Sequence, residues 1–360
     1  MSKWAKAKLG DYIQEYSERN KDGAKIPVYS VTNSNGFCTE YFSKEVASKD
    51  KTTSKIVKKG CFAYNPSRIN VGSVDWLRNE EAVIVSPLYN VFSVKNGLYQ
   101  QYLYYYLKSS VGLYYIKELA TGSVRDNLKF DILSEFSIPL PPLETQHQIA
   151  ENLDKVTRLI DLCNNILERF DLLVKSRFVE MFGEPIKNTN MFPTQSLGKV
   201  CLLKAGITTS ADDIHEQNTE YQIPCYGGNG IRGYVKKSTY SGVFPIIGRQ
   251  GALCGNVQLA KGDFNATEHA VLVTPLIEMN VYWLYCLLKH MDLFRYHTGA
   301  AQPGLAVKTL NTVEIITPNV HLQNQFAAFA EQVDKSKSAV KKVLEKAETL
   351  KKALMQEYFG

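Results

Sequence analysis

No run of apolar residues in this 360-residue chain approaches the ~18–20 needed to cross a bilayer, so no transmembrane helix is expected. The opening Met1-Ser2-Lys3-Trp4-Ala5-Lys6 is not followed by the apolar core of a signal peptide, and a cytoplasmic location is expected. The seven cysteines, at 38, 61, 163, 201, 225, 254 and 286, form no Cys-x-x-Cys. They read neither as a disulfide framework nor as a zinc site, but as reduced, buried thiols. The six histidines include no pair at metal-ligand spacing, so no metal is expected. Catalytic signatures are missing too. An adenine methyltransferase needs an Asn/Asp-Pro-Pro-aromatic loop, and Asn65-Pro66-Ser67-Arg68 lacks the second proline and the aromatic. Gly227-Gly228-Asn229-Gly230 has no following Lys-Ser/Thr and reads as a tight turn, not a phosphate cradle. Glu268-His269 has the chemistry of an acid–base pair, but no nucleophile or metal ligand lies near it in sequence. No catalytic residue and no cofactor are expected.

What is present is an internal repeat. Thr121-Gly122 aligns with Thr298-Gly299, and the register holds without a gap to Phe182-Gly183 and Phe359-Gly360. The offset is 177 over 63 positions, with 17 identities. They include Leu128/Leu305, Leu133/Leu310, Ile138/Ile315, Pro141/Pro318, Gln146/Gln323, Gln148/Gln325 and Val156/Val333. A weaker echo upstream pairs Leu9-Gly10 with Leu197-Gly198, and Leu103-Tyr104 with Leu284-Tyr285. Each unit is thus a globular segment followed by a long helix, and 44% hydrophobic with 22% charged residues suits folded domains. The expected division is 1–143 globular, 144–190 helical spacer, 191–320 globular and 321–360 helical spacer.

From Ile149, apolar residues alternate in steps of four and three: Leu153, Val156, Ile160, Cys163, Leu167, Phe170, Val174. This heptad seam lays one helix along another. Its counterpart is Phe326, Ala330, Val333, Lys337, Val340, Leu344, Ala347, Lys351, less apolar, with lysines opposite Ile160 and Val174. The two seams are expected to pair with each other, antiparallel, through Ile149, Leu153, Val156, Ile160, Leu167, Phe170, Phe326, Val333, Val340 and Leu344. A helix of about 39 residues gives a rod of roughly 58 Å, longer than a globular core requires.

Strands are expected at 25–31, 59–65 and 82–86, then at 222–226, 243–248 and 270–273. Aromatic-rich helices are expected at 99–108 and 281–289. The fold class is therefore α+β (mixed α/β), with two globular units of one scaffold joined by two long, antiparallel, coiled-coil-like helices in a pseudo-twofold repeat. Net charge is +6, and the first unit is the most basic, with 19 Lys/Arg against 14 Asp/Glu over residues 1–143. Its lysines at 49, 51, 55, 58 and 59 suit either a polyanion partner or a solvated loop.

Taken in order, Tyr64-Asn65-Pro66-Ser67-Arg68, Ile138-Pro139-Leu140-Pro141-Pro142, Ile223-Pro224-Cys225-Tyr226-Gly227-Gly228-Asn229-Gly230, Ile246-Ile247-Gly248-Arg249-Gln250-Gly251 and Ala266-Thr267-Glu268-His269-Ala270 resemble the DNA-specificity subunit of Type I restriction–modification systems. The resemblance rests in the second unit on Ile223-Pro224-Cys225-Tyr226-Gly227-Gly228-Asn229-Gly230-Ile231-Arg232-Gly233, Ile246-Ile247-Gly248-Arg249-Gln250-Gly251 and Ala266-Thr267-Glu268-His269-Ala270. In the first it rests on Tyr64-Asn65-Pro66-Ser67-Arg68-Ile69-Asn70-Val71-Gly72 and Thr121-Gly122-Ser123-Val124-Arg125. The entry Ile138-Pro139-Leu140-Pro141-Pro142-Leu143-Glu144-Thr145-Gln146 and the exit Arg177-Phe178-Val179-Glu180-Met181-Phe182-Gly183 bound the first spacer. It implies two target-recognition domains reading an asymmetric two-part sequence in double-stranded DNA. The spacer helices would set the gap between half-sites and dock two methyltransferase subunits, with restriction/translocase subunits added in the full complex. The chain itself would be non-catalytic.

Forked donors and acceptors read base edges. The DNA-binding candidates are Lys55, Lys58, Lys59, Tyr64, Asn65, Ser67, Arg68 and Arg125, then Asn229, Arg232, Arg249, Gln250, His269 and Gln302. A motif shared by members with different targets does not encode the target. Ser67-Arg68 and Gly248-Arg249 are therefore assigned to backbone or scaffold contact, and specificity to the stretches 30–60 and 200–245. Other readings are a specificity subunit of a fused nuclease–methyltransferase, a coiled-coil adaptor that binds no nucleic acid, and a self-sufficient nuclease or methyltransferase.

Overall fold

A computed structural model describes residues 4–39, 51–120, 127–299 and 303–360. Contacts divide the chain into two units: Met1–Asn164 with Lys342–Gly360, and Asn165–Lys341. Both divisions fall inside the long helices, so each unit contains the beginning of one and the end of the other.

The first unit opens with β1 (Lys6–Lys8), β2 (Ile13–Glu15) and the hairpin β3 (Ser30–Thr32) and β4 (Gly36–Cys38). There follow β5 (Lys55–Lys58), β6 (Phe62–Tyr64), β7 (Val74–Trp76), β8 (Ala82–Val85) and β9 (Asn90–Val94). Helices α1 (Gln100–Lys108), α2 (Ser110–Ala120) and α3 (Phe130–Ser134) precede β10 (Ser137–Pro139) and the long α4 (Leu143–Phe182). The second unit begins with β11 (Thr194–Ser196), α5 (Leu197–Val200) and β12 (Cys201–Ala205). It continues through β13 (Ile223–Gly227), β14 (Gly230–Val235), β15 (Tyr240–Gly248), β16 (Val257–Ala266) and β17 (Ala270–Pro275). It closes with α6 (Val281–His290), α7 (Val307–Asn311), β18 (Glu314–Ile316) and α8 (Val320–Phe359).

One topology serves both units. The first has a sheet of order β2-β9-β6-β7, and the second has β12-β17-β15-β16 extended by β13-β14. Each also ties its start to its end through a short antiparallel pair, β1 with β10 and β11 with β18. The stretch 25–31, expected as a strand, pairs regularly only over Ser30–Thr32, with Val28 making a lone bridge to Ile84.

The repeated identities are structural. Leu128 and Leu305, Leu133 and Leu310, and Ile138 and Ile315 are all buried at or below 1% exposure. The recurring Phe-Gly at each helix end has a packing cause: Phe359 lies against Tyr102 and Tyr106, ring centroids 5.4 and 5.8 Å away, in the first core. Phe182 meets Trp283 and Phe326 at 5.8 and 5.7 Å in the second. Burying such rings is worth about 1.5–3 kcal/mol each.

Within each unit the long helices run antiparallel. In the first, Asn152 donates to the Tyr358 hydroxyl, while Lys351 lies in the field of Asp154 and Asp161. In the second, Lys337 pairs with Asp171 at 2.5 Å and Phe178 meets Phe326 at 5.3 Å. Lys337 thus keeps its stem inside and directs its ammonium group to a carboxylate. Ile149, Leu153, Val156, Phe326 and Val333 are buried, and Ile160, Leu167, Phe170, Val340 and Leu344 are half-buried.

Candidate nucleic-acid interface

In the second unit the three motifs marked in the sequence meet at one end of the sheet. The backbone makes the junction. Gly248 lies so close to the β13–β14 turn that a Cβ on it would sit 1.7 Å from the Gly228 carbonyl oxygen. Any side chain there forces the two segments apart, which is why the Gly-Arg-Gln-Gly stretch starts with glycine. Arg249 N–H then donates to the His269 carbonyl at 2.9 Å, and Thr267 N–H donates to the Tyr226 carbonyl at 2.8 Å. The Arg249 carbonyl accepts from Leu305 N–H at 2.8 Å, tying in the repeat's own leucine.

Around this junction lie polar side chains. Asn229, at the exposed turn, accepts at Oδ1 from Asn256 Nδ2 at 2.8 Å. Arg232 and Gln250 are exposed, the former with its stem across Gly227. Glu268 and His269, each about 38% exposed, approach to 3.5 Å. Beneath them Arg249 Nε, Thr267 Oγ1, Glu268 Oε2 and His269 Nδ1 are buried without a hydrogen-bond partner among the described residues. Buried polar groups demand partners, so a polar ligand reaching this turn gains more than on an ordinary surface. Arg249, Gln250, His269, Asn229 and Arg232 are therefore brought together, while Gln302 lies outside the described residues.

The first unit differs. Asn65, Ser67 and Arg68 form the β6–β7 connection, where Asn65 Oδ1 accepts from Ser67 N–H at 3.1 Å and Ser67 Oγ donates to Asn127 Oδ1 at 2.5 Å. Arg68 and Asn65 line a cleft of about 280 Å³ whose opposite wall is the β3–β4 hairpin. The Pro66 carbonyl accepts from Leu128 N–H at 3.1 Å, as the Arg249 carbonyl does from Leu305. This equates Pro66 with Arg249, so Arg68 and Arg249 are not counterparts.

Two residues expected at the surface are corrected. Tyr64 has no exposed area; its hydroxyl accepts from Asn90 Nδ2 at 2.9 Å, and burial raises its pKa. Lys55 is 9% exposed and spends its ammonium on the Tyr89 carbonyl at 2.7 Å, its pKa lowered by desolvation. Neither is placed to touch DNA. Lys58 and Lys59 are exposed but paired, with Glu18 at 2.9 Å and Glu81 at 2.8 Å. Arg125 lies outside the described residues.

What residue-by-residue reading missed is the β3–β4 tip, Asn33-Ser34-Asn35. Its Asn35-Gly36 is a hairpin signal of the same kind as Asn229-Gly230. Among the described residues no group of three or more His, Cys, Asp or Glu could hold a metal ion. No helix among them is long and apolar enough to cross a membrane.

Two copies of one scaffold, each ending in a polar loop cluster and running into a long paired helix, define a class of repeated recognition modules. Residues 1–170 and 192–350 match the family described as Type I restriction modification DNA specificity domain, and the chain belongs to that family. It is 43% identical over 150 residues to the Type I restriction enzyme EcoprrI specificity subunit of Escherichia coli, covering 41% of this chain and 37% of that protein. It is 24% identical over 269 residues to the Type I restriction enzyme MjaIX specificity subunit of Methanocaldococcus jannaschii, covering 64% of this chain and 62% of that one. The matches thus span less than two thirds of either relative. The crystal structure of the Type-I restriction-modification system S subunit from M. genitalium shares the fold, with a TM-score of 0.69 and 17% identity over all of this chain and 96% of that one. A chain from a structure of type I R-M complex assembly and conformational transition gives a TM-score of 0.52 at 17% identity, covering 99% of this chain and 97% of that one.

Proposed function

We propose that this chain is the non-catalytic DNA-recognition subunit of a Type I restriction–modification complex. Each globular unit reads one half of an asymmetric, two-part target in double-stranded DNA. The helical spacers, 144–190 and 321–360, set the gap and dock two methyltransferase subunits, to which restriction/translocase subunits add. Such a complex acts in the cytoplasm. The observation that carries the reading is one strand order repeated in both units beneath two different polar loop clusters. A protein-binding adaptor has no need of a second, differently decorated copy, whereas a two-part DNA sequence does. Family membership and the relatives named specificity subunits support it.

Asn229, Arg232, Arg249, Gln250 and His269 serve the second half-site. Asn65, Ser67 and Arg68 serve the first, with Lys58 and Lys59 adding salt-dependent attraction to phosphates. The test is to co-express the chain with a Type I methyltransferase subunit from the same genome and map adenine methylation by long-read sequencing. The expected result is a single two-part motif with a fixed gap that vanishes when this chain is omitted. An active, soluble complex that produces no such motif contradicts the proposal.

A further inference from the structure

Among the described residues the β3–β4 hairpin of the first unit is a two-stranded ribbon that belongs to no larger sheet. Its tip, Asn33-Ser34-Asn35, is exposed, yet the residues around the tip are fastened. Thr32 Oγ1 accepts from Asn35 N–H at 3.1 Å, and Lys108 Nζ donates to the Asn33 carbonyl at 2.7 Å. Asp75 Oδ2 accepts from Phe37 N–H at 3.2 Å. Gly36 makes that contact possible, since a Cβ there would fall 2.0 Å from the same carboxylate oxygen. Asp75 is held in turn by Arg78 at 2.7 Å, whose guanidinium stacks 4.5 Å from the Trp76 ring and 4.9 Å from Tyr104.

Neither amide side chain at the tip takes part in these bonds, although that of Asn33 lies over Gly72, where a Cβ would fall 2.6 Å from its Oδ1, in the cleft shared with Asn65 and Arg68. Among the described residues neither Asn33 nor Asn35 makes a side-chain hydrogen bond, in contrast to Asn229, whose Oδ1 is engaged by Asn256. The fastened stem therefore holds two neutral, forked groups at a fixed place on the surface. The major groove of DNA admits a two-stranded ribbon, and the donor–acceptor pair of an asparagine amide matches N6 and N7 of adenine. An amide can donate to a phosphate as well, but only at a base edge are its donor and its acceptor both used.

We infer that Asn33 and Asn35 are specificity-determining residues of the first unit, reading base edges, at least one of them adenine, in the half-site it serves. The inference rests on the DNA-recognition reading above. Its test is methylation mapping of the full chain in complex with its methyltransferase partner, wild type against Asn33→Ala, Asn35→Ala and the double variant. Expected is loss of discrimination at one or two positions of one half-site, with the other half and the gap unchanged. Affinity for a duplex carrying the mapped sequence should fall roughly 5- to 150-fold per asparagine, with affinity for unrelated duplex at the same salt unaltered. Should the alanine variants fail to fold, Asn33→Ser and Asn35→Ser keep a neutral, turn-forming residue and remove the forked amide, and should relax the same positions. An unchanged motif, relaxation in the other half, or an equal loss on mapped and unrelated DNA overturns the inference. A folded wild-type complex that yields no two-part motif overturns the recognition reading itself, and this inference with it.

Discussion

Gln146 accepts the backbone N–H of Tyr99 at Oε1 (2.8 Å) and donates from Nε2 to the carbonyls of Gly97 and Pro141, both at 2.9 Å. Gln323 repeats the arrangement, accepting from Asn280 N–H at 2.9 Å and donating to the Pro318 carbonyl at 2.8 Å. A glutamine at this place stitches the aromatic helix to the start of the long one, and no shorter side chain reaches both. Gln146→Ala or Gln323→Ala should destabilise the protein by about 2–4 kcal/mol, because buried backbone groups lose their partners. Gln148→Ala and Gln325→Ala, two positions on and exposed, should leave the melting temperature nearly unchanged. Thermal denaturation of the four variants checks this. The identity of the repeat pointed to all four glutamines alike; only burial separates the pair that holds the fold from the pair that does not.

His290 offers a second residue-scale outcome. Its ring stacks on Phe178 at 4.3 Å and its Nδ1 sits 2.7 Å from the Cys286 carbonyl. Desolvation lowers its pKa below the ordinary 6.5, and Lys175 and Lys289 add to the lowering. The unfolded chain therefore takes up a proton at a higher pH than the folded one. Its contribution is present above about pH 6.5 and is lost as pH falls through the lower folded value. His290→Phe keeps the stacked ring and removes the titration, so its stability should decline less between pH 7 and about pH 5 than that of the wild type. Parallel acid-induced slopes for the two proteins, measured by denaturant melts, would show that His290 does not carry this dependence.

At the scale of the element, the long helices were legible because heptad periodicity is a local property. The apolar face must recur every seven residues whatever lies elsewhere. Of the two lysines in the second seam, the fold accounts for Lys337 through its ion pair with Asp171, while burial lowers the pKa of Lys351 despite the opposing field of Asp161 and Asp154. If the paired helices set the gap between half-sites, a matched heptad inserted in α4 and α8 adds ~10.5 Å, or about three base pairs. The gap in the methylated motif should lengthen accordingly, and an unaltered gap in an active complex would refute the ruler role. Strands were harder to place than helices. The stretch 25–31 is β-branched enough to suggest a strand, but the tertiary partners it meets pair regularly only from Ser30.

On the scale of the whole molecule, two copies of one topology predict modular specificity. Replacing residues 191–320 with the corresponding segment of another family member should change one half of the methylated motif and leave the other intact; a change in both halves would defeat the modular view. With a net charge of only +6, and if it assembles with methyltransferase subunits as proposed, the isolated chain should bind DNA weakly and gain affinity in that assembly. Tight, specific binding by the chain alone in a titration would contradict that. The sequence by itself determined the repeat, the heptad seams and the family, since each is written in spacing along the chain. Tertiary structure alone decided which polar residues face outward. Tyr64 and Lys55 are withdrawn into the first unit, while Asn33 and Asn35 are held out by Asp75 and Lys108, 38 to 75 positions away from their contacts in the hairpin. Exposure depends on what packs from a distance, and no local pattern encodes it.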